Sequence, residues 1–408
     1  MLGDSRLIRS ISLRNFLSYG DSGDPLETKS LNVLIGPNAS GKSNLIEAVG
    51  LLQAAPKELA APIREGGGVS EWLWKGRATP TPVAEIDVTV FYPDGAMALR
   101  HKLAFTMVGQ RFELVDEAVE NERPTGRDLD DVYFFYRYQH GHPALNVRTE
   151  VTDPAGTTQG RVERKLRREE LEADQSVLSQ RKDPDRYPEI TYLGNQYSKI
   201  RLYREWNLGR YTPPRMPQKA DLPSDFLSES ADNLGLVLNE LEYQAGARTR
   251  LLENLRTFHE SIDDVYTRIH GGTVQVFVHE KGLGQPIAAT RLSDGTLRYL
   301  CLLTILCHPS PPPVICVEEP ELGLHPDALP AVAELLVDAS NRTQLFVTTH
   351  SEILVDALSK TPEAVLICEK ESGSTALRRL DPEALRGWLE KYSLGQLWRR
   401  GELGGNRW

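Results

Sequence analysis

The sequence predicts an α/β fold in which a glycine-rich loop joins a buried strand to a helix. The apolar run Leu31–Ile35 is typical of a buried strand, and residues 36–43 follow it as G-P-N-A-S-G-K-S. Apolar side chains at helical spacing then indicate a helix from Lys42 to Leu52. Two further apolar runs, at residues 313–317 and 345–349, are typical of central strands in a parallel sheet.

Composition and charge are those of an ordinary globular protein. Of the 408 residues, 40% are hydrophobic and 25% are charged, and no apolar stretch is long enough to span a bilayer. The first residues lack the basic and apolar segments of a signal peptide, so we expect a soluble, cytoplasmic protein with no membrane partner. The four cysteines show no C-x-x-C spacing, which predicts reduced, buried thiols. A net charge of −10 argues against a wholly basic surface but permits a local basic patch.

The rest of the chain alternates between strand-like and helix-like periodicity. Period-two runs indicate strands at 83–92, 97–107, 111–115, 132–139 and 273–279. Helical spacing predicts two helices within 231–265, separated at Gly246, with Ile262 on the second. These changes predict an N-terminal lobe with the glycine-rich loop over 1–120, an insertion and helical lobe over 121–290, and a C-terminal half over 291–408.

The glycine-rich loop carries the residue types that bind phosphate. A strand, G-x-x-x-x-G-K-S and a helix, in that order, cradle the α- and β-phosphates of a nucleotide on backbone amides and the helix N-terminus. We expect Lys42 to reach the β- and γ-phosphates and the Ser43 hydroxyl to ligate Mg²⁺. The predicted nucleotide-binding residues are Gly36, Pro37, Asn38, Ala39, Ser40, Gly41, Lys42, Ser43 and Asn44. The alternative is a Gly/Asn turn that caps an ordinary helix.

Two carboxylates end the run at 313–317. Ligands of α/β sheets bind at the carboxyl ends of the strands, which is where Glu318 and Glu319 fall. We expect Glu318 to help hold Mg²⁺, and Glu319 to orient and deprotonate the attacking water. Alone, the pair would fit a strand that ends in a solvated acidic turn.

Two further elements are weaker when each is taken alone. His350 follows the run at 345–349, at a distance past the acids that fits a γ-phosphate sensor, although such a histidine is more often structural. Ser293 precedes an apolar helix at 297–306 and is expected to cap it, and the free amides near Gly295 offer a second anion site. The bland interpretation of Ser-Asp-Gly is a helix-start turn.

In chain order the four elements resemble the Walker A, signature, Walker B and histidine-switch motifs of an ABC-type ATPase head, a P-loop NTPase. The resemblance is strongest to the RecF-like and SMC-like branch, and within it to OLD-like ATPases of bacteria. Other segments share it: Ile11–Phe16, Leu292–Thr296, Glu321–Pro326 and Trp398–Trp408. It implies a two-lobed head with a mixed central sheet and a helical insertion lobe, which binds ATP and Mg²⁺ and hydrolyses ATP.

The resemblance also implies a head-to-tail homodimer with two ATP molecules between the subunits. Ser293 and Gly295 of one subunit would then meet the γ-phosphate held by Lys42 of the other. Three departures stand out. Glu318 replaces the usual aspartate and is one methylene longer, so we expect the metal geometry to shift by about 1 Å. Gln53 comes too early for the glutamine loop, and no long coiled coil follows, which argues against tethering DNA over a distance.

Two functions remain open at this stage. The first is a nucleotide switch acting on DNA, in repair or in defence against mobile elements. Its support is the family resemblance and two basic clusters. The first cluster contains Arg161, Arg164, Lys165, Arg167 and Arg168. The second contains Lys199, Arg201, Arg204, Arg210 and Arg215, and it is interleaved with aromatic residues as in single-strand binders: Tyr197, Tyr203, Trp206 and Tyr211. The alternative is a regulatory ATPase subunit that holds and releases an effector protein, a nuclease or toxin. Assemblies larger than a dimer stay open, and a transporter ATPase is disfavoured by the large insertion.

Overall fold

The computed structural model describes residues 6–76, 81–124, 132–139, 142–153, 156–166, 170–244 and 246–405. Its strands are, in chain order, β1 (Ile8–Arg14), β2 (Leu26–Glu27), β3 (Leu31–Ile35), β4 (Ala84–Val90), β5 (Leu99–Val108), β6 (Arg111–Asn121), β7 (Phe134–Gln139), β8 (His142–Asp153), β9 (Gly156–Lys165), β10 (Arg201–Tyr203), β11 (Gln218–Lys219), β12 (Ile262–His270), β13 (Thr273–Glu280), β14 (Ile287–Ala288), β15 (Val314–Glu318), β16 (Gln344–Thr348), β17 (Val365–Glu371) and β18 (Ser374–Arg379).

Its α-helices are α1 (Lys42–Ala54), α2 (Ala60–Glu65), α3 (Val69–Trp72), α4 (Val177–Gln180), α5 (Pro188–Ser198), α6 (Leu234–Tyr243), α7 (Ala247–Phe258), α8 (Asp294–Leu306), α9 (Leu329–Ala339), α10 (Glu352–Ala357), α11 (Pro382–Leu389) and α12 (Leu394–Arg399). Short 3-10 turns lie at Pro213–Arg215, Ala289–Arg291, Pro326–Ala328 and Pro362–Ala364.

The central sheet has the order β10-β15-β16-β3-β17-β18, and it is parallel except for β18. The two apolar runs beside the acids and the histidine therefore form adjacent strands, β15 and β16, next to the loop strand β3. Because parallel strands end at the same edge of a sheet, the segments after these three strands converge. The predicted mixed central sheet is confirmed.

An antiparallel sheet, in the order β2-β1-β4-β5-β6-β7-β8-β9, packs on the other side of α1. The alternating burial of β4 is that of a strand with one face in the core. The alternation of side chains along β3 also explains why this strand contributes to two hydrophobic cores. Leu34 packs with α1 and this sheet, whereas Val33 and Ile35 pack with the helices on the opposite face.

The helical lobe joins α6, α7 and α8 to a small sheet in which β13 pairs with β11, β12 and β14. Gly246 has a φ of 79°, a backbone conformation that glycine adopts without steric cost. The prediction that Ile262 belongs to the second helix is wrong. The helix ends at Phe258, His259 is extended, and Ile262 begins β12, whose backbone pairs with β13.

The division at residues 120 and 290 stays a prediction. The antiparallel sheet runs from β1 through β9 and so continues past residue 120, and β10 adds to the central sheet beside β15. All four cysteines are buried free thiols, as expected. Among the described residues, we find no helix with the length and apolar character needed to cross a membrane.

Candidate nucleotide-binding site

The glycine-rich loop requires its glycines for steric reasons. Gly41 has a φ of 106°, and a Cβ at this position would lie 2.2 Å from the Thr375 hydroxyl. A Cβ on Gly36 would lie 2.2 Å from the Cys368 carbonyl oxygen. Ala39 also has a positive φ, of 63°. Backbone of this kind turns successive amides into one concavity, which is an anion-binding arrangement.

The first turn of α1 is open to an anion. Its N-cap, Gly41, supplies no side-chain acceptor, and the first turn contains no acidic residue. The amides at this helix end therefore keep their positive partial charge for a ligand. The Lys42 ammonium donates to the carbonyls of Gly36 at 2.9 Å and Pro37 at 3.0 Å, which holds it across the loop. Burial lowers the pKa of Lys42, against the opposing effect of nearby carboxylates.

Ser43 and Glu318 meet across the site, as expected of two groups that share a metal. The Ser43 hydroxyl donates to Glu318 Oε2 at 2.7 Å. Burial raises the pKa of Glu318, while the Ser43 hydrogen bond and Arg204 oppose the rise. Mg²⁺ binds hard oxygen ligands and keeps much of its coordination for water and phosphate. A hydroxyl and a carboxylate beside a phosphate cradle therefore fit Mg²⁺ chemically.

Glu319 and His350 end neighbouring strands and face each other. Glu319 has a φ of 45°, rare for a residue with a side chain, and its amide donates to the Thr348 carbonyl at 3.0 Å. Strain of this kind is concentrated at functional sites. His350 Nε2 lies 3.9 Å from Glu319 Oε1. Burial and then the Lys42 charge lower the pKa of His350, so its imidazole is neutral at pH 7.

Glu321 supports the histidine loop, a role that the sequence did not reveal. Its Oε1 accepts from the Thr349 hydroxyl and from the His350 amide, both at 2.8 Å. It lies within the segment after the acids that the resemblance had singled out. The signal was its position three residues past Glu318, but only the pairing of β15 with β16 shows what it contacts.

The predicted signature residues lie at the N-terminus of α8. Ser293 caps α8 by accepting from the Thr296 amide at 3.0 Å, as predicted. A Cβ on Gly295 would lie 2.8 Å from the Gly323 carbonyl oxygen. Within the part of the chain that the structure describes, no hydrogen bond links this segment to the glycine-rich loop. The structure thus brings together Lys42, Ser43, Glu318, Glu319 and His350, and among the described residues it shows no hydrogen bond from Ser293 or Gly295 to this group.

Arg204, placed in a basic cluster from the sequence, instead follows the central strand β10 into the site. Its guanidinium lies 2.8 Å from Glu47 and 3.6 Å from Glu318. Gln53, by contrast, bonds the Ile200 carbonyl and Glu229, so it faces β10 rather than the phosphate loop.

Trp206 links Glu318, the predicted Mg²⁺ ligand, to α8. Its indole N–H donates to the Glu318 carbonyl at 3.3 Å, and the Arg298 guanidinium lies over its ring at 5.3 Å. Arg298 belongs to α8, one turn beyond Ser293. From the sequence, Trp206 is grouped with the aromatic residues of the predicted nucleic-acid surface, because the sequence does not show which residues a single tryptophan contacts.

Much of the predicted nucleic-acid cluster is buried or paired. Tyr197, Tyr203 and Arg215 lie in the interior, and Arg161 pairs with the buried Glu189. Stacking of bases on these two tyrosines is therefore wrong, because their rings fill the core. Lys199, Arg210 and Tyr211 are exposed, whereas Arg167, Arg168 and 406–408 lie outside the described residues.

Comparison with known proteins agrees with this geometry. Residues 31–356 match the family described as "AAA domain, putative AbiEii toxin, Type IV TA system". The chain is 26% identical over 96 residues to the chromosome partition protein Smc of Mycolicibacterium paratuberculosis, a match that covers 23% of this chain and only 8% of that protein.

Solved SMC heads share the fold. An Smc head bound to the C-winged helix domain of ScpA aligns with a TM-score of 0.56 at 14% identity, covering 93% of this chain and 99% of that one. A Pyrococcus furiosus Smc head with an extended coiled coil, bound to the C-terminal domain of ScpA, gives 0.56 at 13% identity, covering 94% and 99%. The predicted fold class, an ABC-like P-loop head of the SMC type, is confirmed.

Proposed function

Because the chain belongs to the AAA-domain family that matches residues 31–356, we propose that it binds ATP with Mg²⁺ and hydrolyses it. The observation that carries this proposal is the convergence of Lys42, the Ser43–Glu318 pair and Glu319 at one sheet edge. Phosphoryl transfer needs a phosphate cradle, a metal site and a group that orients the attacking water, and this edge carries residues of all three kinds.

Each side chain has a separate task in this proposal. Lys42, already bridging two loop carbonyls, turns towards the β- and γ-phosphates. Ser43 and Glu318 hold Mg²⁺, which neutralises charge on the phosphates when it is bound. Glu319, held in one backbone conformation by the Thr348 carbonyl, orients the water and accepts its proton. Neutral His350 donates a hydrogen bond to the γ-phosphate.

We further propose that two copies assemble head to tail around ATP. The support is the SMC-like fold, together with the finding that, among the described residues, no hydrogen bond joins Ser293 or Gly295 to the loop of their own subunit. At the capped N-terminus of α8 the positive side chain of Arg215 is already paired with Asp294, so this helix end binds a phosphate best where the facing copy has already supplied Lys42. ATP would then join the two surfaces, and hydrolysis would weaken the junction.

Paired substitutions test this proposal. We expect Glu319→Gln to abolish hydrolysis, to retain ATP binding and to accumulate an ATP-dependent dimer in light scattering. Lys42→Ala should lose ATP binding and remain monomeric under the same conditions. Normal hydrolysis by Glu319→Gln would remove the assigned base, and an E319Q protein that binds ATP as a monomer would refute the dimer.

The output of this switch is best assigned to a partner protein. The burial of Tyr197 and Tyr203 removes two of the aromatics that supported direct DNA contact, and the structurally similar Smc head was solved with a fragment of ScpA. A cytoplasmic location follows from this role.

A role on DNA, in repair or in defence against mobile elements, is the competing proposal. The exposed residues of the two clusters would have to supply the contact: Arg164, Lys165, Lys199, Arg210 and Tyr211. ATP-locked E319Q protein should then shift single-stranded or duplex DNA in a salt-dependent manner, and a K199A/R210A variant should not. No shift at 50 mM salt with either form of DNA would favour the partner protein.

A further inference from the structure

The last described segment, residues 394–405, packs on the helix that follows the predicted γ-phosphate sensor. We name it the C-terminal clamp. The amides of Leu394 and Gly395 donate to Ser359 Oγ at 2.9 Å and to Asp356 Oδ1 at 3.2 Å. Leu394 and Leu397 are buried in one core with Leu354. A Cβ at Gly395 would lie 2.6 Å from the Glu352 carbonyl oxygen, so α12 lies directly against α10.

The other end of the clamp reaches the first glycine of the phosphate loop. The Gly405 amide donates to Glu369 Oε1 at 2.6 Å, and Trp398 Nε1 donates to the Gly405 carbonyl at 3.4 Å. A Cβ at position 405 would lie 3.0 Å from Ile367 Cγ2 and 3.5 Å from Gly36 Cα. Gly404 and Gly405 both have left-handed φ angles, 79° and 70°, so glycine permits this close approach.

The clamp therefore bridges two loops that would contact different phosphates. His350 directly precedes Ser351, the N-cap of α10, so movement of α10 moves the histidine. Gly36 begins the loop that cradles the α- and β-phosphates. The two loops follow the neighbouring strands β3 and β16 of the central sheet, but both strands end before the loops begin. Residues 394–405 lie beyond the segment that matches the family, 31–356, so the family match assigns them no role.

We propose that the C-terminal clamp fixes the separation between the phosphate loop and His350, and thereby sets the preference for ATP over ADP. This inference rests on the proposed nucleotide function. ADP contacts the phosphate loop alone, whereas the γ-phosphate of ATP must also reach the histidine loop. Gly405, Glu369 and Trp398 are positioning residues in this account, because they act on the phosphates only through the two loops.

The test compares affinities for fluorescent ATP and ADP analogues with Mg²⁺ in the full-length chain. Gly405→Ala places a methyl group against Ile367 and Gly36, and it should weaken ATP about tenfold, the factor for one lost hydrogen bond to a charged group, while ADP changes less than twofold. Gly373→Ala is the matched control. Its φ of 84° imposes similar backbone strain, but no atom lies within 4 Å of the added Cβ.

A second pair of variants keeps the test valid if Gly405→Ala fails to fold. Glu369→Gln retains the Oε1 acceptor for the Gly405 amide and should bind ATP as the wild type does, whereas Glu369→Ala should lose ATP preference. Equal weakening of ATP and ADP, or no change in Gly405→Ala and Glu369→Ala, would overturn the clamp while leaving the proposed function intact. A wild-type chain that binds neither nucleotide would overturn the proposed function, and this inference with it.

Discussion

Shortening Glu318 by one methylene probes the proposed metal site directly, because the length of this side chain lets its carboxylate reach Ser43. The Glu318 carboxylate accepts from Ser43 at 2.7 Å and lies 3.6 Å from the Arg204 guanidinium. Removing a bond of about 1.5 Å lengthens the Ser43 contact to about 4 Å, beyond hydrogen-bonding distance. Glu318→Asp should therefore lose a charge-assisted bond worth about 1.5 kcal/mol. Aspartate would thus be harmful at this position.

Glu318→Gln separates the length of the side chain from its charge. Glutamine retains the reach and the carbonyl acceptor for Ser43, and burial at this position already disfavours the charged form. Without nucleotide, the free energy of unfolding should therefore rank wild type and E318Q together, above E318D. For Mg²⁺-dependent ATP affinity the order of the two variants should be reversed, with E318D above E318Q. E318D, which keeps the negative charge, should lose about tenfold, corresponding to 1.4 kcal/mol, and E318Q should lose more.

Urea unfolding and titration of a fluorescent ATP analogue with and without Mg²⁺ measure the two rankings. Opposite orders in the two assays would show that reach stabilises the apoprotein and charge binds the metal. The reasoning would be refuted if E318D matched the wild type within twofold in both assays. A loss of ATP affinity in E318D of equal size with and without Mg²⁺ would also refute it, since the side chain would then act on the phosphates.

Three more variants or conditions follow from the same geometry. Gly41→Ala should lose at least tenfold in nucleotide affinity in a fluorescence titration, because its Cβ would lie 2.2 Å from the Thr375 hydroxyl. Gly68→Ala is the control and should bind nucleotide normally, since Gly68 has a φ of 93° but no atom lies within 4 Å of the added Cβ. Burial raises the pKa of Glu318, so Mg²⁺-dependent ATP affinity should fall on acidification at a higher pH than for an unburied glutamate, and E318Q should not show this fall. Arg215→Met leaves the carbonyls of Leu208, Ala289 and Leu292 without their donor and should cost about 3 kcal/mol in urea unfolding. Arg386→Met, which removes an exposed ion pair with Glu383, should cost less than about 0.5 kcal/mol, and a similar loss in both arginine variants would contradict the assigned role of Arg215.

The parts of the site that the sequence predicted are those encoded by a contiguous segment. The loop glycines, Lys42 and Ser43 follow a buried strand and precede a helix, so their geometry is local. Glu318, Glu319 and His350 were predicted because each ends an apolar strand, and parallel strands must end at one edge. Ser293 could be assigned as a cap for the same reason, since its partner is the Thr296 amide three residues later.

Contacts between distant segments could not be predicted in this way. Arg204 and Trp206 follow a strand of only three residues, too short for a periodicity signal, and they meet Glu318 because β10 pairs with β15. The same residue types had suggested a nucleic-acid surface, because sequence spacing does not distinguish a buried tyrosine from an exposed one. The structure places Tyr203 in the core and leaves Tyr211 exposed. Ile262 shows that the assignment of single residues has a similar limit, since one apolar residue near the end of a helix fits either helical or strand periodicity.

In the proposed dimer mechanism, the charges around the phosphate loop disfavour binding of a triphosphate by one subunit alone. In the described part of the chain, Glu47, Glu318, Glu319 and Glu321 surround the site, against the cations Lys42, Arg204 and Arg298. ATP must therefore bring a divalent cation, and its γ-phosphate needs donors that add no further negative charge. The N-terminus of α8 carries Asp294, which would repel a phosphate, but Arg215 pairs with this carboxylate and bonds three neighbouring carbonyls. Arg215 thus neutralises the signature segment and fixes its shape, which makes this surface suited to close over the γ-phosphate of a second copy.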